Sequence, residues 1–97
     1  MHRTEISSVL RGCEHELRAR FAVRSLRLFG SIARGEATEN SDIDVLVEFS
    51  RPIGLIQFAA LKLFLEELLG LPVDLATPDA LHPEMRERIL SEAIDAA

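Results

Sequence analysis

Apolar positions along the chain recur first at helical and then at strand intervals. Behind Thr4, read as an N-cap, Ile6, Val9, Leu10, Cys13 and Leu17 form one helical stripe that predicts a helix to about Phe21. Ser25 to Phe29 is short and alternating, a strand with Leu26 and Leu28 on one face. Gly30-Ser31 ends it, Ser31 to Arg34 opens a short helix, and Gly35 stops that helix. Residues 37–41 are polar and turn-like. Ile43 to Phe49 is the clearest strand: it is rich in β-branched residues, with Ile43, Val45, Val47 and Phe49 on one face and Asp42, Asp44, Leu46 and Glu48 on the other. Gly54 to Leu69 reads as a helix apolar over most of its circumference, closed by Gly70 and Pro72, so it is either buried on several sides or offers a face to a partner. Val73 to Ala76 is a short strand, and Pro83 to Ile94 a last amphipathic helix through Met85, Ile89, Leu90 and Ala93. A helical crossover makes the last two strands parallel, while the shorter connection between the first two suits an antiparallel pair. The expected fold class is α/β (α+β by mixed-sheet criteria): a small mixed three-stranded sheet flanked by helices, in one domain spanning residues 1–97.

Composition narrows the class of molecule. Of 97 residues, 47% are hydrophobic and 28% charged, which excludes collagen-like, low-complexity and disulfide-scaffold chains. The single cysteine, Cys13, excludes an intrachain disulfide and fits a reducing, cytoplasmic compartment. Its place on the apolar stripe suits a structural thiol. The most apolar stretch, residues 53–73, is interrupted by Lys62, Glu66 and Glu67, and no signal segment is visible at the start, so no membrane association is expected. Net charge is −5, but residues 1–35 carry +4 and residues 36–97 carry −9. The acidic total argues against a direct nucleic-acid binder. The N-terminal arginines suit a solvated helix face first, and a phosphate or an acidic partner second.

The candidate chemistry lies in three short segments. Asp42 and Asp44, two residues apart on a strand, project to one face with their side chains ~6–7 Å apart. Two ionised carboxylates at that range repel, so one takes a proton or a cation sits between them, and Mg²⁺ prefers such oxygen ligands. An Asp-x-Asp pair alone is equally what a polar strand entrance looks like. Asp74 adds weight, because an acid inside the apolar strand Val73-Asp74-Leu75 is disfavoured unless paired or metal-bound. Gly30-Ser31, between a strand and a helix, offers free N–H groups and a hydroxyl for a phosphate, although Gly-Ser is also a common turn. Arg34 follows one helical turn later and suits a phosphate, an acidic neighbour or solvent alike. His2, His15 and His82 have no partners at metal-ligand spacing, and there is no Walker-type or dinucleotide fingerprint.

Taken together, Gly30-Ser31-Ile32-Ala33-Arg34-Gly35, Ser41-Asp42-Ile43-Asp44-Val45 and Val73-Asp74-Leu75 resemble the minimal nucleotidyltransferase (MNT) family of the polymerase-β-like nucleotidyltransferase superfamily. The resemblance covers residues 25–76 by motif. It implies the nucleotidyltransferase fold, with Asp42, Asp44 and Asp74 as catalytic residues and ligands of two Mg²⁺ ions. It further implies that Gly30, Ser31, Arg34 and Ser41 bind the nucleotide, with ATP as substrate. An acceptor hydroxyl would attack the α-phosphate, and Asp74 would help to activate it. Stand-alone MNT proteins typically pair with a HEPN-domain RNase toxin and act as its antitoxin, moving AMP to a toxin tyrosine. The helix 54–69 and the N-terminal arginines are the candidate surfaces for that partner, within a homodimer or a hetero-oligomer. Two other readings stand beside this one: an antitoxin that neutralises by binding alone, and a transferase acting on a small molecule. The sequence leaves open the nucleobase, the acceptor residue, the number of nucleotides transferred and the stoichiometry.

Overall fold

The computed structural model describes residues 1–38 and 40–97. The polar loop expected over 37–41 includes residue 39, which lies outside the described residues. The elements run α1 (Arg3–Gly12), α2 (Glu14–Phe21), β1 (Val23–Phe29), α3 (Gly30–Arg34), β2 (Ile43–Phe49), α4 (Leu55–Leu69), β3 (Val73–Ala76), a 3₁₀ turn (Pro78–Ala80), α5 (Pro83–Glu92) and β4 (Ile94–Asp95). The sheet has four strands in the order β3-β2-β1-β4. β1 runs antiparallel to β2 and β4, and β2 runs parallel to β3. The mixed sheet and both strand directions are as expected, with one strand more than expected.

That extra strand also corrects the last helix, which stops at Glu92 rather than Ile94. Ala93 turns extended and the chain pairs along the free edge of β1, where Leu26 and Ala97 exchange backbone hydrogen bonds of 2.9 and 3.1 Å. The open edge of β1 decides this conformation, because unpaired strand N–H and C=O groups seek partners. The N-terminal helix is likewise divided. Gly12, without a Cβ, weakens the helix, Cys13 leaves helical geometry, and α2 restarts behind it. The N-cap is His2, not Thr4: its ring accepts from the Thr4 N–H, and the Glu5 carboxylate accepts from the His2 N–H in return. Cys13 is half-buried against the main core.

The two faces of the sheet carry different loads. Leu26, Leu28, Val45, Val47, Val73 and Leu75 face α1, α2 and α4, where Ile6, Leu10, Leu17, Phe21, Leu61 and Leu65 complete the main core. On the opposite face Phe29 and Leu46 pack against Ile89 of α5 in a smaller cluster. α4 buries Leu61, Leu65 and Leu69 along one side and leaves Leu55 87% and Ile56 89% exposed, so it is not enclosed on several sides. Among the described residues no helix is long and apolar enough to cross a membrane.

Candidate active site

Strand pairing brings the acidic residues together. Asp44 sits one residue inside β2, opposite Phe29 of β1 on one side and Asp74 of β3 on the other. Hydrogen-bonded strands lie about 4.8 Å apart, so the Asp44 and Asp74 side chains are neighbours on one face. Two bonds hold this register: the Ile43 N–H donates to the Pro72 carbonyl at 2.9 Å, and the Val73 N–H to the Glu66 carboxylate of α4 at 2.9 Å. Asp42, just ahead of β2, and Asp74 are exposed, while Asp44 is half-buried.

Gly30 follows Phe29 and turns the chain from β1 into α3 with φ +67°. A Cβ there would lie 2.1 Å from Asp44 Oδ2, so the carboxylate rests against the glycine backbone, and only a residue without a side chain admits it. Phe29, the residue ahead of α3, has no side-chain cap to offer, and the Gly30 N–H donates instead to the Glu92 carboxylate. Ser31 is half-buried, and among the described residues its hydroxyl has no hydrogen-bond partner. Gly35 closes α3 with φ +74°. Ser41 sits apart from these groups in its bonding: its hydroxyl accepts from the Thr38 N–H at 3.0 Å and its own N–H donates to the Thr38 carbonyl at 3.1 Å. It thereby closes the turn that delivers Asp42.

The electrostatics follow from this crowding. Burial, then the charges of Asp74 and Asp42, push the Asp44 carboxyl up to about 6, against the opposing pull of Arg34. Arg34 is itself clamped: its Nε donates to Glu36 at 3.0 Å and its Nη1 to Glu92 at 2.9 Å. The hydrogen bond to Glu36, then the charge of Glu92, raise its pKa, against the desolvation that opposes them. An all-oxygen donor set in mutual repulsion fits a hard cation. Among the described residues no three acidic, His or Cys side chains are arranged to hold a metal ion by themselves. Mg²⁺ commonly takes one or two carboxylates and completes its shell with water and substrate phosphates.

Glu92 is the member of this cluster that sequence reasoning missed. Its Oε1 accepts from the Gly30 N–H at 3.1 Å as well as from Arg34. One signal was available, since an acid at the C-terminal end of a helix opposes the helix dipole. The N-terminal arginines, by contrast, are mostly engaged within the chain. Arg18 and Arg20 pair with Glu14 and Glu16, Arg24 and Arg27 both reach Glu48, and Arg3 donates to the Ala33 carbonyl. A cleft of about 1020 Å³ lies at the other end of β2, between Phe49, Ile53, Phe58 and the 77–80 turn. None of the acidic trio lines it. Chemistry, rather than concavity, marks the site.

The model of the nucleotidyltransferase domain family matches residues 10–96. The protein adenylyltransferase MntA of Thermococcus cleftensis is 44% identical over 90 residues, covering 93% of this chain and 91% of that one. A solved structure described as a minimal nucleotidyltransferase superposes with a TM-score of 0.80 at 44% identity, over 97% of this chain and 95% of the other. A chain of the Shewanella oneidensis complex between a tri-AMPylated HEPN toxin and an MNT antitoxin superposes with a TM-score of 0.69. Its identity is 16%, over 98% of this chain and 71% of that one, so this likeness is one of fold.

Proposed function

Because this chain belongs to the nucleotidyltransferase domain family, as a minimal nucleotidyltransferase, we propose that it moves AMP from ATP to a tyrosine hydroxyl of a HEPN-domain toxin and so acts as its antitoxin in the cytoplasm. The observation that carries the reading is that Asp44 pairs with Asp74 across β2 and β3, feels the charge of Asp42 and rests against the Gly30 turn; this supports a cation-holding group beside a phosphate-holding turn. The likeness to an adenylyltransferase supports the donor, and the fold shared with a toxin–antitoxin complex supports the acceptor.

In this mechanism Asp42, Asp44 and Asp74 hold Mg²⁺, with two ions expected. Held by these residues, Mg²⁺ would supply charge neutralisation to the phosphates during an in-line displacement. The Gly30 backbone N–H and Ser31 donate to the β- and γ-phosphates. Ser41 holds the approach to Asp42. Arg34 turns a guanidinium N–H toward the phosphates. Asp74 accepts the proton of the acceptor hydroxyl as its oxygen bonds to the α-phosphorus, and the bond from that phosphorus to the bridging oxygen breaks to release pyrophosphate. The exposed apolar face of α4, at Leu55, Ile56 and Leu63, is the docking face for the toxin.

The test is the intact mass of the neighbouring toxin protein, co-expressed with this chain or with its Asp42→Asn/Asp44→Asn variant. Gain of whole AMP units with the wild type alone is the expected result. An unmodified toxin held in a stable complex by both forms would replace transfer with neutralisation by binding.

A further inference from the structure

We infer that Glu92 acts as a built-in competitor for the nucleotide phosphates, its carboxylate occupying donors of the α3 loop that a bound triphosphate takes over. The inference rests on the nucleotide reading above and adds to it a residue that sets affinity. One oxygen, Glu92 Oε1, accepts both from the Gly30 N–H at 3.1 Å and from Arg34 Nη1 at 2.9 Å. Both donors belong to the turn and short helix that follow β1, about sixty residues away in sequence. A carboxylate oxygen and a phosphate oxygen make the same demand on such donors: each is an anionic acceptor that binds N–H groups through charge-assisted hydrogen bonds. The donors therefore hold an anion already, and it is supplied by the chain itself.

Two further observations favour exchange over a fixed clamp. First, Arg34 is drawn on by three carboxylates, Glu36 and Glu92 through hydrogen bonds and Asp44 through space. A guanidinium so occupied reaches a phosphate only by releasing one of them. Second, the backbone at Glu92 is anchored independently of its carboxylate, and the side chain keeps 22% of its surface in solvent, a side from which it can turn outward. It is the last residue of α5, and Ile94 and Asp95 immediately beyond it pair with Leu28 and Arg27 of β1. Rotation of the Glu92 side chain frees both donors while that strand pairing stays intact. Once rotated, the carboxylate leaves a region that already holds Asp42, Asp44 and Asp74, and incoming phosphate no longer meets a fourth negative charge.

The experiment is calorimetric titration of the full chain with Mg-ATP, in the wild type and in Glu92→Gln. The glutamine keeps the shape and an acceptor oxygen but loses the charge. Its affinity is expected to rise roughly tenfold, the difference between a charged and a neutral acceptor competing for the same donors. A tighter site cannot arise from a damaged fold, and Glu92→Asp, which keeps the charge but draws it back by one methylene, is expected to give a smaller gain. Wild-type binding with unchanged or weakened affinity in both variants overturns the exchange and leaves the nucleotide reading in place. Absence of binding in all three proteins, each shown to be folded by thermal melting, overturns both.

Discussion

At Gly30 a left-handed backbone angle and a carboxylate meet within one residue, and the two requirements can be separated by substitution. In Gly30→Ala the φ of +67° alone costs about 1–2 kcal/mol, and the added methyl must also displace Asp44 Oδ2. The expected outcome is a fall in melting temperature of roughly 5–10 °C, with transfer to the toxin lost even where the protein is still folded. An equivalent change at Gly35, which has open space around its Cβ position, should show the backbone penalty without the loss of transfer. Asp44 makes a second prediction, which concerns pH. Its carboxyl is pushed up to about 6 from an ordinary 3.8, so the unfolded chain releases this proton near pH 4 while the folded, metal-free chain keeps it to about 6. The folded state binds more protons in that window, and stability therefore falls as pH rises across it. Asp44→Asn, with the same shape and no charge, should melt above the wild type at pH 7.5 in chelator and level with it near pH 4. Parallel melting profiles for the two proteins would remove the burial of Asp44 and its repulsion by Asp74 and Asp42 as sources of pH dependence.

α4 divides into residues that hold the fold and residues that do not. Leu61 is fully buried, and Leu61→Ala should cost about 2–5 kcal/mol in a denaturant melt. Leu55 and Ile56 stand almost wholly in solvent, and replacing both with Ser should move stability by no more than about 0.5 kcal/mol per site. If α4 is the docking face, that double variant loses toxin binding in a pull-down while its melting curve stays where it was. Retained binding would move the interface elsewhere on the molecule. Elements of this kind were legible where the local signal and the tertiary demand agree. β2 is bounded by turn signals and filled with β-branched residues, and its limits, 43–49, are those read from the sequence. The end of α4 is equally plain, because Gly70 takes the left-handed cap with φ +69°. β4 was not legible: the alanine-rich run at 93–97 has no strand pattern and pairs only because β1 presents an open edge. The division of the N-terminal helix at Gly12 and Cys13 was hidden by an apolar stripe that continues across it.

Across the whole molecule, charge and sheet order explain what the sequence could say about the site. Asp42, Asp44 and Asp74 could be grouped because a parallel β2–β3 pair follows from the helical crossover, and the pairing observed, Asp44 beside Asp74, is that of neighbours. Glu92 could not be grouped with them, since its approach to Gly30 depends on α5 lying across the second face of the sheet and on β4 returning along β1. The basic surplus of the first 35 residues likewise gave no hint that Arg24 and Arg27 would share Glu48 across the sheet. β3 has only four residues, with Val73 and Leu75 in the main core and Asp74 between them facing the other way. Sliding it by one position would drive Asp74 into the hydrocarbon interior and turn both apolar side chains out to water. Assembly of the core is thus also an error check on the chemistry: a molecule that has threaded this strand wrongly fails to consolidate, and one that consolidates already has its third carboxylate aimed.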